Sequence, residues 1–137
     1  QLGITEIMVL SGTAAQHEDK YAAECPSLKV VYNVEQSTDI PLDRAFLDQF
    51  DNWVETARAQ GKTVAFRCEC GCHRTGRLAA YYQIKYQKLP LEIALEIMTE
   101  QGKWMAFYPH IYKQVHALND YVMGRPCSTD RKYCVRE

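Results

Sequence analysis

Apolar residues recur at strand period in the first part of the chain and at helical period later, and this switch outlines an α/β fold. Ile7-Met8-Val9-Leu10 is a continuous apolar run stopped by Ser11-Gly12, the pattern of a short buried strand. Thr13 stands where an N-cap would open a helix over Ala14 to Cys25, a stretch rich in helix formers that Pro26 ends. β-Branched composition from Leu28 to Val34 predicts a second strand, and the polar stretch Glu35 to Pro41 a loop. Phe46, Leu47, Phe50, Trp53, Val54 and Ala57 then share one helical face, giving an amphipathic helix from about Asp43 to Gln60 that Gly61 closes. Lys62 to Phe66 reads as the third strand, Cys68 to His73 as a tight turn, and Arg74 to about Gln87 as a helix. Pro90 opens a helix with Ile93, Ala94, Ile97 and Met98 on one face, and Pro109 another with Ile111, Val115, Leu118 and Val122. Strands interleaved with helices, followed by helices alone, predict a small parallel or mixed β-sheet flanked by helices. A single domain over residues 1–137 is expected, with 124–137 an irregular C-terminal tail.

Composition narrows the partners. The 137 residues are 47% hydrophobic and 24% charged, enough for one packed core and too short for a repeat array or several domains. Sixteen Lys+Arg against seventeen Asp+Glu leave a formal charge of -1, so no basic field points to nucleic acid or an anionic membrane, and any attraction for anions must be local. Apolar runs fall far short of the roughly 20 residues that span a bilayer, and no signal-peptide pattern is present. A soluble monomer is expected, either cytoplasmic or, since the chain opens on Gln1 rather than Met, exported after removal of a leader. Six cysteines are the unusual count: Cys25 alone, expected in the core; Cys68, Cys70 and Cys72 within five residues; Cys127 and Cys134 either paired across the tail or exposed thiols. A disulfide-stapled mini-domain is disfavoured, because such scaffolds lack a core of this size.

The central cysteines lie on a strand–turn–helix, an arrangement that aims backbone N–H groups at an anion. Converging amides, a helix N-terminus and a guanidinium lower a cysteine's pKa below its ordinary value of about 8.5, and the thiolate is the attacking species. Arg74, six positions after Cys68, can return across the turn and grip two phosphate oxygens in a fork. Gly71 at the centre allows a close backbone approach that a side chain would block.

Cys68-x5-Arg74 with Gly71 in the middle and Thr75 after the arginine resembles the signature loop of the protein tyrosine phosphatase superfamily. Val64-Ala65-Phe66 before it and Thr75 to Tyr82 after it are similar to compact dual-specificity phosphatases and to bacterial phosphatase-like phytases, a likeness running from Leu28 through the Phe107 to Tyr121 helix. The resemblance implies a metal-independent, cofactor-free phosphomonoesterase. In it Cys68 forms a phosphocysteine, Glu69, Cys70, Gly71, Cys72 and His73 complete the phosphate-binding loop with Arg74, and the Thr75 hydroxyl assists the departing thiolate. The family carries its general acid on a loop some thirty residues upstream; Asp39, 29 positions before Cys68 and mid-loop, is the expected acid, with Asp43 as runner-up better suited to capping a helix. The substrate implied is a phosphoprotein bearing phosphotyrosine, phosphoserine or phosphothreonine, or an inositol phosphate.

Arg67 stands where the family has a histidine, which motivates a second reading, a catalytically weak phosphate-binding pseudophosphatase. A third, more distant reading takes Cys68, Cys70, Cys72 and His73 as soft metal ligands, although structural zinc sites favour two-residue spacers. Cys70 and Cys72 are expected as small fillers of the turn or as thiols that trap an oxidised Cys68. Of the basic residues Arg67, His73, Arg74 and Arg77, only Arg74 is expected to aim inward. Trp104, Phe107, Tyr108 and Tyr112 are expected in the core rather than on a substrate wall, and His17, His110 and His116 without a role.

Overall fold

A computed structural model describes residues 3–18, 28–70, 72–102 and 104–137. Three strands, β1 (Ile4–Val9), β2 (Lys29–Asn33) and β3 (Thr63–Arg67), form a parallel sheet in the order β2-β1-β3. Four helices flank it: α1 (Arg44–Gln60), α2 (His73–Lys85), α3 (Leu91–Gln101) and α4 (Pro109–Met123). β1 starts earlier than its apolar run because Ile4 and Glu6 pair with β3, and the Glu6 carboxylate accepts from Trp53 Nε1 at 2.8 Å. Among the described residues no helix is long and apolar enough to cross a membrane.

The helix expected after Thr13 is absent from its described part, which holds only a 3₁₀ turn at Ala14–Gln16; the rest of that expectation, Cys25 included, lies outside the described residues. Thr13 makes no cap, since its Oγ1 is engaged by Ser11 Oγ at 2.7 Å and by Arg67 NH1 at 3.2 Å.

α1 begins at its cap, with Asp43 Oδ1 accepting from Phe46 N at 2.7 Å, and ends at Gly61 with φ of +65°, a left-handed conformation that favours glycine. Phe46, Leu47, Phe50 and Val54 are buried with Met8, Leu10, Leu78 and Tyr81 in the main core. α2 is shared between two cores, since Ala80 and Ile84 pack in a second one with Ala94 and Met98 of α3 and Ile111 and Val115 of α4. Ile93 lies off that stripe and is exposed.

Trp104 and Phe107 also depart from expectation, being 72% and 74% exposed. A 3₁₀ turn at Met105–Phe107 explains this: positions three apart eclipse one another, so Trp104 and Phe107 share the outer side while Met105 is buried over Gly102. The tail is irregular as expected, yet pinned. Cys127 and Cys134 form a disulfide, Arg44 N donates to Arg136 O at 2.7 Å, and Arg136 N donates to Leu42 O at 3.2 Å.

Candidate active site

Parallel strands send their C-terminal ends to one side, and ligands in α/β folds bind in the crevice beyond those ends. Here the central strand ties the neighbouring loops together. Leu10 N donates to Arg67 O at 2.7 Å, Val34 N to Val9 O at 3.2 Å, and Gln36 N to Leu10 O at 2.9 Å. The turn at 68–72 and the loop at 34–43 therefore converge on the end of β1.

Cys68 directly follows β3 and is 3% exposed, packed into the main core. Glu69 is on the outside, 3.8 Å from His17 in a solvent-exposed ion pair. Cys70 and Cys72 are joined to each other by a disulfide, which corrects the expectation of two fillers or of resolving thiols for Cys68, and takes two thiolates from the metal reading. Gly71 between them lies outside the described residues. His73 opens α2, its ring stacked 4.0 Å from that of Tyr108.

Arg74, in the first turn of α2, donates through NH1 to Gln36 O at 3.2 Å and, more weakly, to Leu10 O at 3.5 Å. Thr75 Oγ1 is buried and has no hydrogen-bond partner among the described residues. Asp39 is on the same side of the molecule, its side chain 83% exposed and its Oδ1 3.4 Å from His110 Nε2. That contact has ion-pair distance without hydrogen-bond geometry. Asp43 spends its carboxylate on the α1 cap.

Arg67 does not leave its charge loose beside Cys68. Nε and NH2 each donate to Glu18 at 2.6 Å in a bidentate fork, and NH1 donates to the Cys68 carbonyl at 3.1 Å. The hydrogen bond that Arg67 donates to Glu18 raises the arginine's pKa. Burial works to raise the Glu18 carboxyl, but the fork overrides it and holds that carboxyl below the usual range.

Arg77, expected on the rim, is 1% exposed. NH1 donates to Gln114 Oε1 at 2.6 Å and to Ile40 O at 3.0 Å, while Nε and NH2 have no partner among the described residues. Burial, and then the neighbouring Arg74, push its guanidinium down to about 10. Gln114, also 1% exposed, donates Nε2 to Thr38 O at 2.9 Å. Glu18, His110, Arg77 and Gln114 are thus the residues around the loops that spacing did not reveal. For Gln114 a signal existed, a lone amide at the centre of the Ile111, Val115, Leu118 stripe.

The model of the dual specificity phosphatase catalytic domain matches residues 1–120. No curated protein matches the chain significantly. Covering all three strands, the Cys68–Arg74 turn and most of α4, the family match joins the fold and the strand–turn–helix site in one conclusion: the chain belongs to the dual specificity phosphatase family of cysteine-based phosphatases.

Proposed function

We propose that the protein hydrolyses phosphomonoesters through a phosphocysteine intermediate. The Cys68 thiolate attacks phosphorus; the bond from phosphorus to the leaving oxygen breaks as Asp39 gives that oxygen a proton. Water then attacks the phosphocysteine, Asp39 takes its proton, and the sulfur–phosphorus bond breaks to return thiolate and inorganic phosphate. The backbone of 69–73 and the Arg74 fork carry the equatorial oxygens, and the Thr75 hydroxyl, unpartnered among the described residues, donates to the departing sulfur. The observation that carries this reading is Arg74, half-buried at the first turn of α2, directly over the loop that bears Asp39.

Two features bear on the finer choices. Arg67, which motivated the pseudophosphatase reading, holds the Cys68 carbonyl and so braces the turn as a loop-organising side chain would. Its charge is matched by Glu18 and that of Arg77 is buried, leaving little free positive charge around the turn among the described residues, which favours a phosphoprotein over a multiply charged inositol phosphate. The test is phosphate release, in the presence of a chelator, from a panel of phosphopeptides and inositol phosphates. Native protein should turn over phosphopeptides, and Cys68→Ser should be inactive while keeping its fold; turnover surviving that substitution, or lost to the chelator, refutes the mechanism.

A further inference from the structure

Alternate carbonyls of the 34–43 loop are each gripped by a side chain from another element. Gln36 O accepts from Arg74, Thr38 O from Gln114, and Ile40 O from Arg77. Asp39 sits between the second and third grips. The same loop has few other anchors in its middle: Ser37 and Asp39 are exposed, Ile40 is 49% exposed, and the Asp39 amide is turned to Ser37 Oγ at 3.0 Å. Backbone bonds at Gln36 N and Leu42 O secure only its two ends.

We propose that Arg77 and Gln114 are positioning residues for the general acid, holding the backbone on both sides of Asp39 so that its exposed carboxyl stays over the leaving oxygen. This rests on the assignment of Asp39 given above. Gln114 can serve only in one orientation, because Arg77 only donates and the Thr38 carbonyl only accepts; its amide is therefore a directional link from guanidinium to loop. Arg77 is an expensive way to fill a core position. No described carboxylate lies within ion-pair distance of it, its neighbour is another arginine, and two of its donors are unmatched. An apolar side chain of similar length would fill the same space without desolvating a charge, but would leave the Ile40 and Gln114 acceptors unpaired. What the charge obtains in return is the pair of acceptors at Ile40 and Gln114, and through them the loop.

The experiment compares native protein, Arg77→Met, Gln114→Met and Asp39→Asn on phenyl phosphate, whose leaving group needs a proton, and on dinitrophenyl phosphate, whose leaving group does not. Arg77→Met is expected to lower kcat on phenyl phosphate by about 10- to 100-fold and on dinitrophenyl phosphate by less than about threefold, within the range general acids contribute. Inhibition by inorganic phosphate should be unchanged, and the variant should stay folded with a melting temperature lower by up to about 10 °C. Combining Arg77→Met with Asp39→Asn should cost no more than Asp39→Asn alone, because both remove the same proton donation. Equal losses on the two substrates, or no loss on either, overturn the proposal. Backbone amide order parameters at residues 37–40 give a readout independent of the chemistry, and should fall from about 0.85 to about 0.6 or below in both variants. Selective loss in Asp39→Asn with none in Arg77→Met sinks the clamp alone; lowered order parameters with no selectivity in Asp39→Asn sink the acid assignment and leave the clamp. Should Arg77→Met not fold, Gln114→Met decides by the same two readouts.

Discussion

Removing the charge of Glu18 tests how the entry to the signature loop is held. The pair it makes with Arg67 is bidentate, with both hydrogen bonds at 2.6 Å, and its side chains are only 10% and 23% exposed. Breaking a fully buried pair by deleting one partner costs about 3–5 kcal/mol, whereas an exposed pair is worth about 0–1 kcal/mol. Partial exposure of Arg67 and the acceptor oxygen that glutamine retains place Glu18→Gln near the lower half of that span, at about 2 kcal/mol. Because the fork holds the Glu18 carboxyl below the ordinary glutamate range, the contribution is complete above about pH 4.5 and is lost as the pH falls through the lower folded-state value. Urea unfolding of native protein and Glu18→Gln, followed by tryptophan fluorescence, should therefore show a gap of about 2 kcal/mol at pH 7, equivalent to about 5–9 °C in melting temperature for a chain of this size. At a pH below the folded-state value the gap should close, since wild-type Glu18 then takes up a proton of its own. A gap of the same size at both pH values would mean that shape rather than charge is at stake, and no gap at pH 7 would mean the fork does not stabilise the fold.

Further outcomes follow from two other contacts. Tyr81, buried at the junction of α1 and α2, donates to both oxygens of Asp51 at 2.9 Å, and burial followed by that carboxylate raises its phenol well above the usual range. Tyr81→Phe should cost about 1–2 kcal/mol by denaturant midpoint, because Lys85 and Tyr86 still engage Asp51; an unchanged midpoint would show that they suffice. Cys127→Ser should speed amide exchange at Arg44 and Arg136, whose bonds join the tail to the start of α1, with a loss of up to about 2.5 kcal/mol expected for a loop this short; unchanged exchange would show that the tail docks without its disulfide.

Most of the scaffold could be read from periodicity, and the failures have local causes. The α1 stripe of Phe46, Leu47, Phe50, Val54 and Ala57 is buried as its spacing predicts, and Asp43 and Gly61 end the helix as cap chemistry requires. Parallel pairing follows from strands separated by long connections, of about a dozen residues or more. Composition failed at Thr13, because a cap needs a hydroxyl with nothing better to do, and this one is held by Arg67 from a strand 54 positions away. It failed again at Trp104 and Phe107, where aromatic content suggested core but a turn with three residues per repeat placed both outside together.

The site divides along the same line. Cys68, Arg74 and Thr75 belong to one strand–turn–helix, so their relation is fixed by neighbouring backbone and survives in the spacing of letters. Where a cation points, by contrast, depends on partners remote in sequence. Arg67 is turned by Glu18 and Arg77 by Gln114, and neither pair has a characteristic spacing. With Arg67 paired to Glu18 and Arg77 withdrawn into the interior, Arg74 is left as the signature-turn arginine facing the loop that carries Asp39. The distant partners do leave a trace, as exceptions to the binary pattern. Gln114 interrupts the Ile111, Val115, Leu118 stripe, and Arg77 shares a buried helix face with Tyr81 and Ile84. A polar side chain in such a place weakens packing unless it has work outside the core, and here both exceptions reach the 34–43 loop, whose middle no described backbone–backbone bond holds.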